Sequence, residues 1–270
     1  MDAFKDKVAV VTGGGSGIGA AMARAFAARG ARLVLADIDE AALASVAAPL
    51  EAAGTPVLTV RTDVGERAQV EALARAAEER FGAVHLVCNN AGIGVYGEIA
   101  DVPHADWEYT MRVNFWGVVH GVETFAPRLV AQGAGHIVNT ASMAGCVGMQ
   151  WLGVYCASKF AVVGLSEALY RELGRHGVGV SVLCPMIVDT PINENSIRLR
   201  PAALKKPAGD DFIPPAAAMA GGVISPDAVA RRVVRAVDRR DFYIFTHPEQ
   251  REILRKRAAR QDRMFDPDVW

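Results

Sequence analysis

The sequence predicts an α/β fold in which a doubly wound parallel sheet is covered by helices on both faces. Two observations predict it. Six short, almost entirely apolar strand segments alternate with longer helical segments in the first 190 residues. Strands that are apolar on both faces are typical of parallel sheets buried between two helical layers. The polar and glycine-rich segments, in turn, follow the strand ends, where such sheets bind ligands.

The predicted elements follow one another closely along the chain. The strand segments are rich in β-branched residues, and Gly30, Gly54 and Gly82 follow helical segments as C-terminal signals. The predicted strands are Val8–Val11, Leu33–Ala36, Val57–Thr62, Val84–Cys88, Gly135–Ala141 and Val178–Cys184. The predicted helices are Ala20–Ala28, Glu40–Ala53, Glu66–Phe81, His104–Ala131, Leu152–His176 and Pro226–Arg239. Pro127 is expected to kink the fourth helix or to begin its last turns.

The composition narrows the range of functions. The chain has 270 residues, 51% of them hydrophobic, and a net charge of −1. A single soluble domain over residues 1–270 is expected, with neither nucleic acid nor an anionic membrane as partner. We expect a cytoplasmic protein, because there is no signal-peptide pattern and no apolar run near the roughly 18 residues of a membrane span. No metal site is expected, because no metal-binding spacing links Cys88, Cys146, Cys156 and Cys184.

A glycine-rich segment, Thr12–Gly19, connects the first strand to the first helix. Its glycines let the backbone turn tightly and approach a pyrophosphate, which the positive end of the following helix also attracts. A simple strand–helix turn is the alternative, but such a turn does not need so many glycines. The segment therefore predicts a Rossmann-like dinucleotide site with contacts from Gly13, Ser16, Gly17, Ile18 and Gly19.

Asp37 ends the second strand, eighteen residues after Gly19. A carboxylate there can accept hydrogen bonds from the hydroxyls of an adenine ribose and repels a 2′-phosphate. The glycine-rich segment carries no arginine or lysine, so NAD is favoured over NADP. The alternative role of Asp37 is to cap the next helix, although Asp39 is also placed to do so.

The ends of the third and fourth strands predict further contacts with the adenine and with the middle of the cofactor. Asp63 follows the third strand, where an adenine would lie, and the sequence N-N-A-G follows the fourth strand. Asn89 either borders the cofactor or stabilises the end of the sheet. The predicted contacts here are Asp63, Val64, Asn90, Ala91 and Gly92.

The spacing of Tyr155 and Lys159 puts both side chains on one face of a helix. A phenol titrates near pH ~10 and needs a neighbouring cation to transfer protons near neutrality. Ser142 ends the fifth predicted strand and could bind the same reacting oxygen. A Tyr/Lys pair with this spacing also occurs by chance, as a surface helix contact. It indicates a reactive site here because the strand ends around it predict a cofactor site.

The order and spacing of these motifs resemble the NAD-dependent type of the short-chain dehydrogenase/reductase (SDR) family, over about Lys7 to Thr190. The motifs are T-G-G-G-S-G-I-G, Asp63, N-N-A-G, Asn114, Ser142 and Tyr155-x-x-x-Lys159. The resemblance implies a homotetramer or homodimer acting on a small-molecule alcohol or ketone. It implies a catalytic set of Asn114, Ser142, Tyr155 and Lys159. It also implies nicotinamide contacts from Tyr155, Lys159, Pro185, Val188 and Thr190.

The resemblance assigns a role to each catalytic residue. Tyr155 takes the substrate proton as a phenolate, and Lys159 lowers the pKa of Tyr155 and holds the nicotinamide ribose. Ser142 donates a hydrogen bond to the reacting oxygen. Asn114 either holds a proton-carrying water or is an ordinary buried amide. Met186 stands where the family usually has glycine, so the shape of the pocket there is left open.

The substrate side is predicted from apolar side chains and a long insert. Residues 190–225 form the candidate substrate loop, and residues 249–270 form a basic helical tail that is expected to dock on another subunit. R-L-R-P-A at 198–202 and the segment at 242–252 are similar to bacterial dehydrogenases of lignin-type aryl alcohols. A bulky, largely apolar alcohol is expected, against a wall of Met143, Val147, Met149, Trp151, Leu152, Met186 and Ile192.

Two other functions stay open at this point. An NADPH-dependent reductase of 3-oxoacyl thioesters is disfavoured by Asp37 and by the missing V-D-G-G ending. A cofactor-binding protein without catalysis is disfavoured because the residues of the implied catalytic set are all present.

Overall fold

The computed structural model of the protein describes residues 4–207, 211–214 and 221–266. Parts of the predicted substrate loop, at 208–210 and 215–220, and the end of the predicted tail, at 267–270, lie outside the described residues. The strands are β1 (Val8–Thr12), β2 (Arg32–Asp37), β3 (Val57–Arg61), β4 (Leu86–Asn89), β5 (Gly135–Thr140), β6 (Val178–Cys184) and β7 (Tyr243–Phe245). They form one parallel sheet in the order β3-β2-β1-β4-β5-β6-β7.

Helices cover both faces of this sheet. They are α1 (Gly17–Ala27), α2 (Glu40–Ala52), α3 (Arg67–Phe81), α4 (His104–Met111), α5 (Gly117–Gln132), α6 (Gly153–Leu173), α7 (Ile192–Arg198), α8 (Pro226–Arg239) and α9 (Arg251–Asp262). None of the helices in the described ranges is long and apolar enough to cross a membrane.

Side chains alternate between the two faces of each strand, and they form one hydrophobic core on each face of the sheet. Ala9 and Val11 of β1 pack with α1, α2 and α8, whereas Val8 and Val10 pack with α3, α5 and α6. Successive strand residues point to opposite faces, so a fully apolar strand serves both cores at once. The predicted doubly wound parallel sheet is therefore confirmed.

Four details differ from the predicted elements. The segment at 242–246 contains a seventh strand, β7, which is only three residues long and adds to the sheet beside β6. The predicted helix His104–Ala131 is α4 and α5 joined by a π-helical turn, Arg112–Trp116. α5 continues as an α-helix through Pro127, so the change in helical geometry lies at the π-helical turn and not at the proline. Part of the predicted substrate loop is helical, as α7.

Candidate active site

A cleft of about 340 Å³ runs along the carboxyl ends of the strands. It joins the glycine-rich segment at one end to Tyr155 and Lys159 at the other. The predicted cofactor and catalytic residues that line it are Gly13, Ser16, Gly17, Ile18, Asp37, Asp63, Val64, Asn90, Ala91, Gly92, Ser142, Tyr155, Lys159, Pro185, Val188 and Thr190. Gly19 and Asn114 are buried and do not line it.

The glycine-rich segment fits a close approach of backbone to an anion. Gly13 and Gly17 have φ angles of 64° and 49°, a region that favours glycine. A Cβ on Gly19 would lie 2.0 Å from the Gly13 carbonyl oxygen, so this glycine lets α1 pack against the turn. The Ser16 side chain does not cap α1. The backbone N–H groups at the start of α1 are therefore not capped by Ser16, and they lie beside a cleft that Gly17 lines.

Asp37 lies at the cleft with its carboxylate oriented by the backbone. Its Oδ2 accepts a hydrogen bond from Gly15 N at 3.0 Å, and its Oδ1 accepts one from Asp39 N at 3.1 Å. The cap of α2 is Asp39, whose Oδ1 accepts from Ala42 N at 3.0 Å. Asp37 is therefore not needed as the helix cap, and it lines the cleft.

Asp63 lines the next part of the cleft and forms an ion pair with Arg112, a residue that the sequence reasoning missed. Arg112 Nη2 lies 2.6 Å from Asp63 Oδ2 and 2.8 Å from Glu66 Oε1. Arg112 belongs to the π-helical turn and itself lines the cleft. Nothing in the local sequence marks this pairing, because it joins segments nearly 50 residues apart.

Thr12 holds the loop after β4 against β1. Its Oγ1 accepts hydrogen bonds from the backbone N–H groups of Asn90 and Ala91, at 2.9 and 3.1 Å. The Asn90 side chain donates to the Thr12 carbonyl oxygen at 3.0 Å. Asn89 Nδ2 donates to Asn139 Oδ1 at 2.9 Å, across to β5. Asn89 thus stabilises the end of the sheet, which is one of its two predicted roles.

Ser142, Tyr155 and Lys159 meet at the far end of the cleft. The Ser142 hydroxyl accepts a hydrogen bond from Ala144 N at 3.1 Å and reaches the Pro185 carbonyl oxygen at 3.3 Å. Lys159 Nζ lies 5.6 Å from the centroid of the Tyr155 ring. The same ammonium donates to the Thr140 carbonyl oxygen at 3.0 Å, so its position is fixed by the end of β5.

Burial is the largest influence on the pKa values of Tyr155 and Lys159. It raises the pKa of Tyr155 to about 12, and a hydrogen bond from Ser142 opposes the rise. Burial lowers the pKa of Lys159 to about 8. The expected net lowering of the Tyr155 pKa is therefore wrong for this geometry, because the effect of burial outweighs any stabilisation of the phenolate. Both groups are desolvated, and the ammonium contacts a backbone carbonyl beside the tyrosine ring.

Asn114 is fully buried in the π-helical turn. Its Oδ1 accepts from Ile93 N at 2.8 Å, and its Nδ2 donates to the Ile93 carbonyl oxygen at 3.0 Å and to Ser158 Oγ at 3.2 Å. These are the contacts of the ordinary buried amide that the sequence left as the alternative. They tie the cleft wall at Ile93 to α6 close to Tyr155.

The predicted substrate wall is only partly assembled at the cleft. Met149, Leu152, Met186 and Ile192 line it, and so do Ile93 and Tyr96. The expectation fails for three residues, which do not line the cleft. Met143 and Val147 are 1% and 7% exposed because the turn after Ser142 directs them into the interior. Trp151 packs edge-on against Phe212, with ring centroids 5.7 Å apart. Asn193, Asn195 and Ser196 of α7 line the cleft in their place, although no motif marked them.

Comparison with known proteins agrees with this geometry. The family model described as short chain dehydrogenase matches residues 7–200. A short chain dehydrogenase/reductase from Burkholderia phymatum, solved in complex with NAD, superposes with a TM-score of 0.91 at 45% identity, over 99% of this chain and 98% of that one. A metagenomic short-chain oxidoreductase in complex with NADP has a TM-score of 0.65 at 34% identity, over 68% of this chain and 83% of that one. A C alpha-dehydrogenase from Sphingobium sp. strain SYK-6 is 36% identical over 264 residues, 95% of this chain and 85% of the relative.

Proposed function

The chain belongs to the short chain dehydrogenase family, and we propose that it is an NAD-dependent oxidoreductase that interconverts a bulky, largely apolar secondary alcohol and its ketone. Membership makes it an oxidoreductase of small molecules. One observation carries the proposal further. Ser142, Tyr155 and Lys159 lie in the same cleft as the glycine-rich segment and Asp37, so an acid–base group and a dinucleotide cradle share one site.

The residues of the cradle fit a dinucleotide. Gly13, Gly17 and the uncapped start of α1 suit a pyrophosphate. Asp37 is oriented to accept from ribose hydroxyls. The cations nearby are already paired, since Arg198 Nη2 lies 2.7 Å from Asp39 Oδ2 and Arg112 binds Asp63. A 2′-phosphate would therefore meet carboxylates and occupied cations, which supports NAD over NADP.

The bound nicotinamide would supply or accept the hydride, and residues of this chain would transfer the proton. In reduction, the Tyr155 hydroxyl is the acid, and its raised pKa keeps it protonated at neutral pH. In oxidation, Tyr155 must first release its own proton to solvent, and the resulting phenolate oxygen then takes the hydroxyl proton of the substrate. Lys159, with a pKa of about 8, remains mostly an ammonium at pH 7, and its Nζ lies 5.6 Å from the centroid of the Tyr155 ring, where its charge would stabilise the phenolate. The Ser142 hydroxyl donates to the Pro185 carbonyl oxygen at 3.3 Å in this structure, and it would turn to donate to the substrate oxygen on which charge develops.

The wall of the cleft supports the substrate class. Met149, Leu152 and Met186 present apolar surface beside Tyr155. Met186 replaces a glycine with a flexible side chain that adapts to irregular apolar groups. We also propose that the protein works in the cytoplasm. We propose that it is a homodimer or homotetramer, as the family resemblance implies, and light scattering of the purified protein would test this oligomeric state.

A panel assay tests the proposed function. The purified protein is incubated with NAD or NADP and with aryl, aliphatic, sugar and steroid alcohols, and NADH or NADPH absorbance is followed. The expected result is turnover of bulky apolar secondary alcohols with NAD. Reduction of 3-oxoacyl thioesters by NADPH in the same assay, without oxidation of these alcohols, would contradict the proposal.

A further inference from the structure

A polar pair, Tyr96 and Asn193, lies beside Tyr155 in an apolar part of the cleft. The Tyr96 and Tyr155 rings are 6.3 Å apart between centroids, and both pack on the cluster that contains Leu152 and Met149. Asn193 reaches the same place from α7 and also lines the cleft. A polar pair among apolar walls, next to the reacting position, needs an explanation.

The pair has hydrogen-bond donors that its mutual hydrogen bond does not use. The Tyr96 hydroxyl donates to Asn193 Oδ1 at 3.0 Å. Within the described ranges, the Asn193 Nδ2 group has no protein acceptor. If the amide is reversed, Nδ2 donates to the tyrosine oxygen and the Tyr96 hydroxyl hydrogen is released instead. Both orientations therefore leave at least one donor for a group that enters the cleft.

Neighbouring contacts hold the pair in place. A Cβ on Gly94 would lie 2.2 Å from the Tyr96 hydroxyl oxygen, so this glycine lets the hydroxyl rest against the backbone. Gly94 N donates to Ser196 Oγ at 2.9 Å. Ser196 lies three residues after Asn193, on the same face of α7. Both members of the pair are thus fixed by a link between the loop after β4 and α7.

A buried ion-pair group secures the chain after α7. Arg200 is 7% exposed and pairs with Asp106 of α4 and, at 2.8 Å, with Asp211.

The small cavity behind Tyr96 and Asn193 measures about 20 Å³, which is enough for one water and too small for a substrate group. The free donors of the pair are therefore of use to a ligand only from the main cleft.

We propose that Tyr96 and Asn193 form a substrate subsite that donates a hydrogen bond to an oxygen atom of the substrate, a few bonds from the reacting carbon. The substrate class is then an apolar secondary alcohol that carries an additional ether, hydroxyl or carbonyl oxygen. This inference rests on the proposed function, because it concerns the same cleft. One hydrogen bond to a neutral acceptor corresponds to about a tenfold preference.

Binding to an inactive holoprotein tests the subsite without turnover. The Tyr155→Phe variant is loaded with NAD, and the Kd values of two alcohols are measured by calorimetry. One is a secondary aryl alcohol with an alkyl chain, and the other is its isostere with one CH2 replaced by an ether oxygen. The ether alcohol is expected to bind about tenfold more tightly. Equal affinities, or no binding of either alcohol, would overturn the subsite.

Two further variants separate recognition from simple structural support. Asn193→Asp keeps an acceptor for the Tyr96 hydroxyl but removes the amide donors, and Met149→Leu changes the apolar wall only. Asn193→Asp in the Tyr155→Phe background is expected to abolish the preference for the ether alcohol and to leave the alkyl alcohol unchanged. Met149→Leu is expected to affect both alcohols alike. A structural link alone predicts that Asn193→Asp weakens both alcohols equally, which would overturn the proposal. Absence of turnover in the wild-type panel assay would refute the proposed function separately.

Discussion

Replacement of Lys159 by methionine tests how burial sets the charge beside Tyr155. Burial lowers the pKa of Lys159 from its ordinary 10.5 to about 8 in the folded protein. Between these values the unfolded chain binds a proton that the folded chain has released. The free energy of unfolding therefore rises with pH across this window, and below about pH 8 the full cost of burying the ammonium is present. Methionine fills a similar volume without that cost.

The magnitude follows from the two pKa values. At about 1.4 kcal/mol per pH unit, their difference corresponds to about 3 kcal/mol. The Lys159→Met variant should therefore gain about 3 kcal/mol relative to the wild type as the pH falls from about 10.5 to below 8, while losing activity. Because pH-dependent terms from other groups are shared by both proteins, the difference isolates Lys159.

Urea unfolding of both proteins, at several pH values from about 7 to about 10, measures this difference. Replacement of the exposed Lys256 by methionine is the matched control and should leave the pH dependence unchanged. A constant difference between wild type and Lys159→Met across the pH range would refute the reasoning, since it would mean that Lys159 titrates alike in both states.

Three further predictions concern the cradle and its support. Asp37→Ala should reduce the preference for NAD over NADP in kcat/KM about tenfold or more, and a wild-type preference for NADP would refute the role of Asp37. Gly19→Ala should lower the Tm and weaken NADH binding, measured by fluorescence titration, because its Cβ would lie 2.0 Å from the Gly13 carbonyl oxygen; unchanged binding would contradict the packing argument. Asn114→Ala should lower the free energy of unfolding by about 2–4 kcal/mol in urea, because it leaves the Ile93 N–H and carbonyl groups unpaired; a change under about 0.5 kcal/mol would contradict this support role.

Patterns of local sequence were sufficient to predict the sheet and the polar residues that line the cleft at its edge. Parallel strands bring their carboxyl ends to one edge, so Asp37, Asp63 and the segment after β4 had to meet the glycine-rich segment there. The four-residue spacing of Tyr155 and Lys159 likewise predicted that both side chains lie on one face of a helix. These predictions needed only the periods of strands and helices and the connectivity of the fold.

The remaining features depend on tertiary packing that no local pattern encodes. Trp151 is as apolar as Leu152, yet it packs on Phe212 outside the cleft. Arg200 and Asp106 form an ion pair although they are 94 residues apart in the sequence, and no local pattern at either residue indicates it. The pKa of Tyr155 depends on how deeply the ring and its lysine are buried, which the spacing of two residues on a helix does not determine.

The central claim is that Tyr155 transfers the substrate proton in a cleft that binds NAD. The most direct test compares wild type and Tyr155→Phe for oxidation of an apolar secondary alcohol, by NADH absorbance, together with NADH binding by fluorescence. The variant is expected to bind NADH as the wild type does and to retain no more than a few per cent of its turnover. Turnover near the wild-type rate, with NADH binding intact, would show that Tyr155 does not transfer the substrate proton.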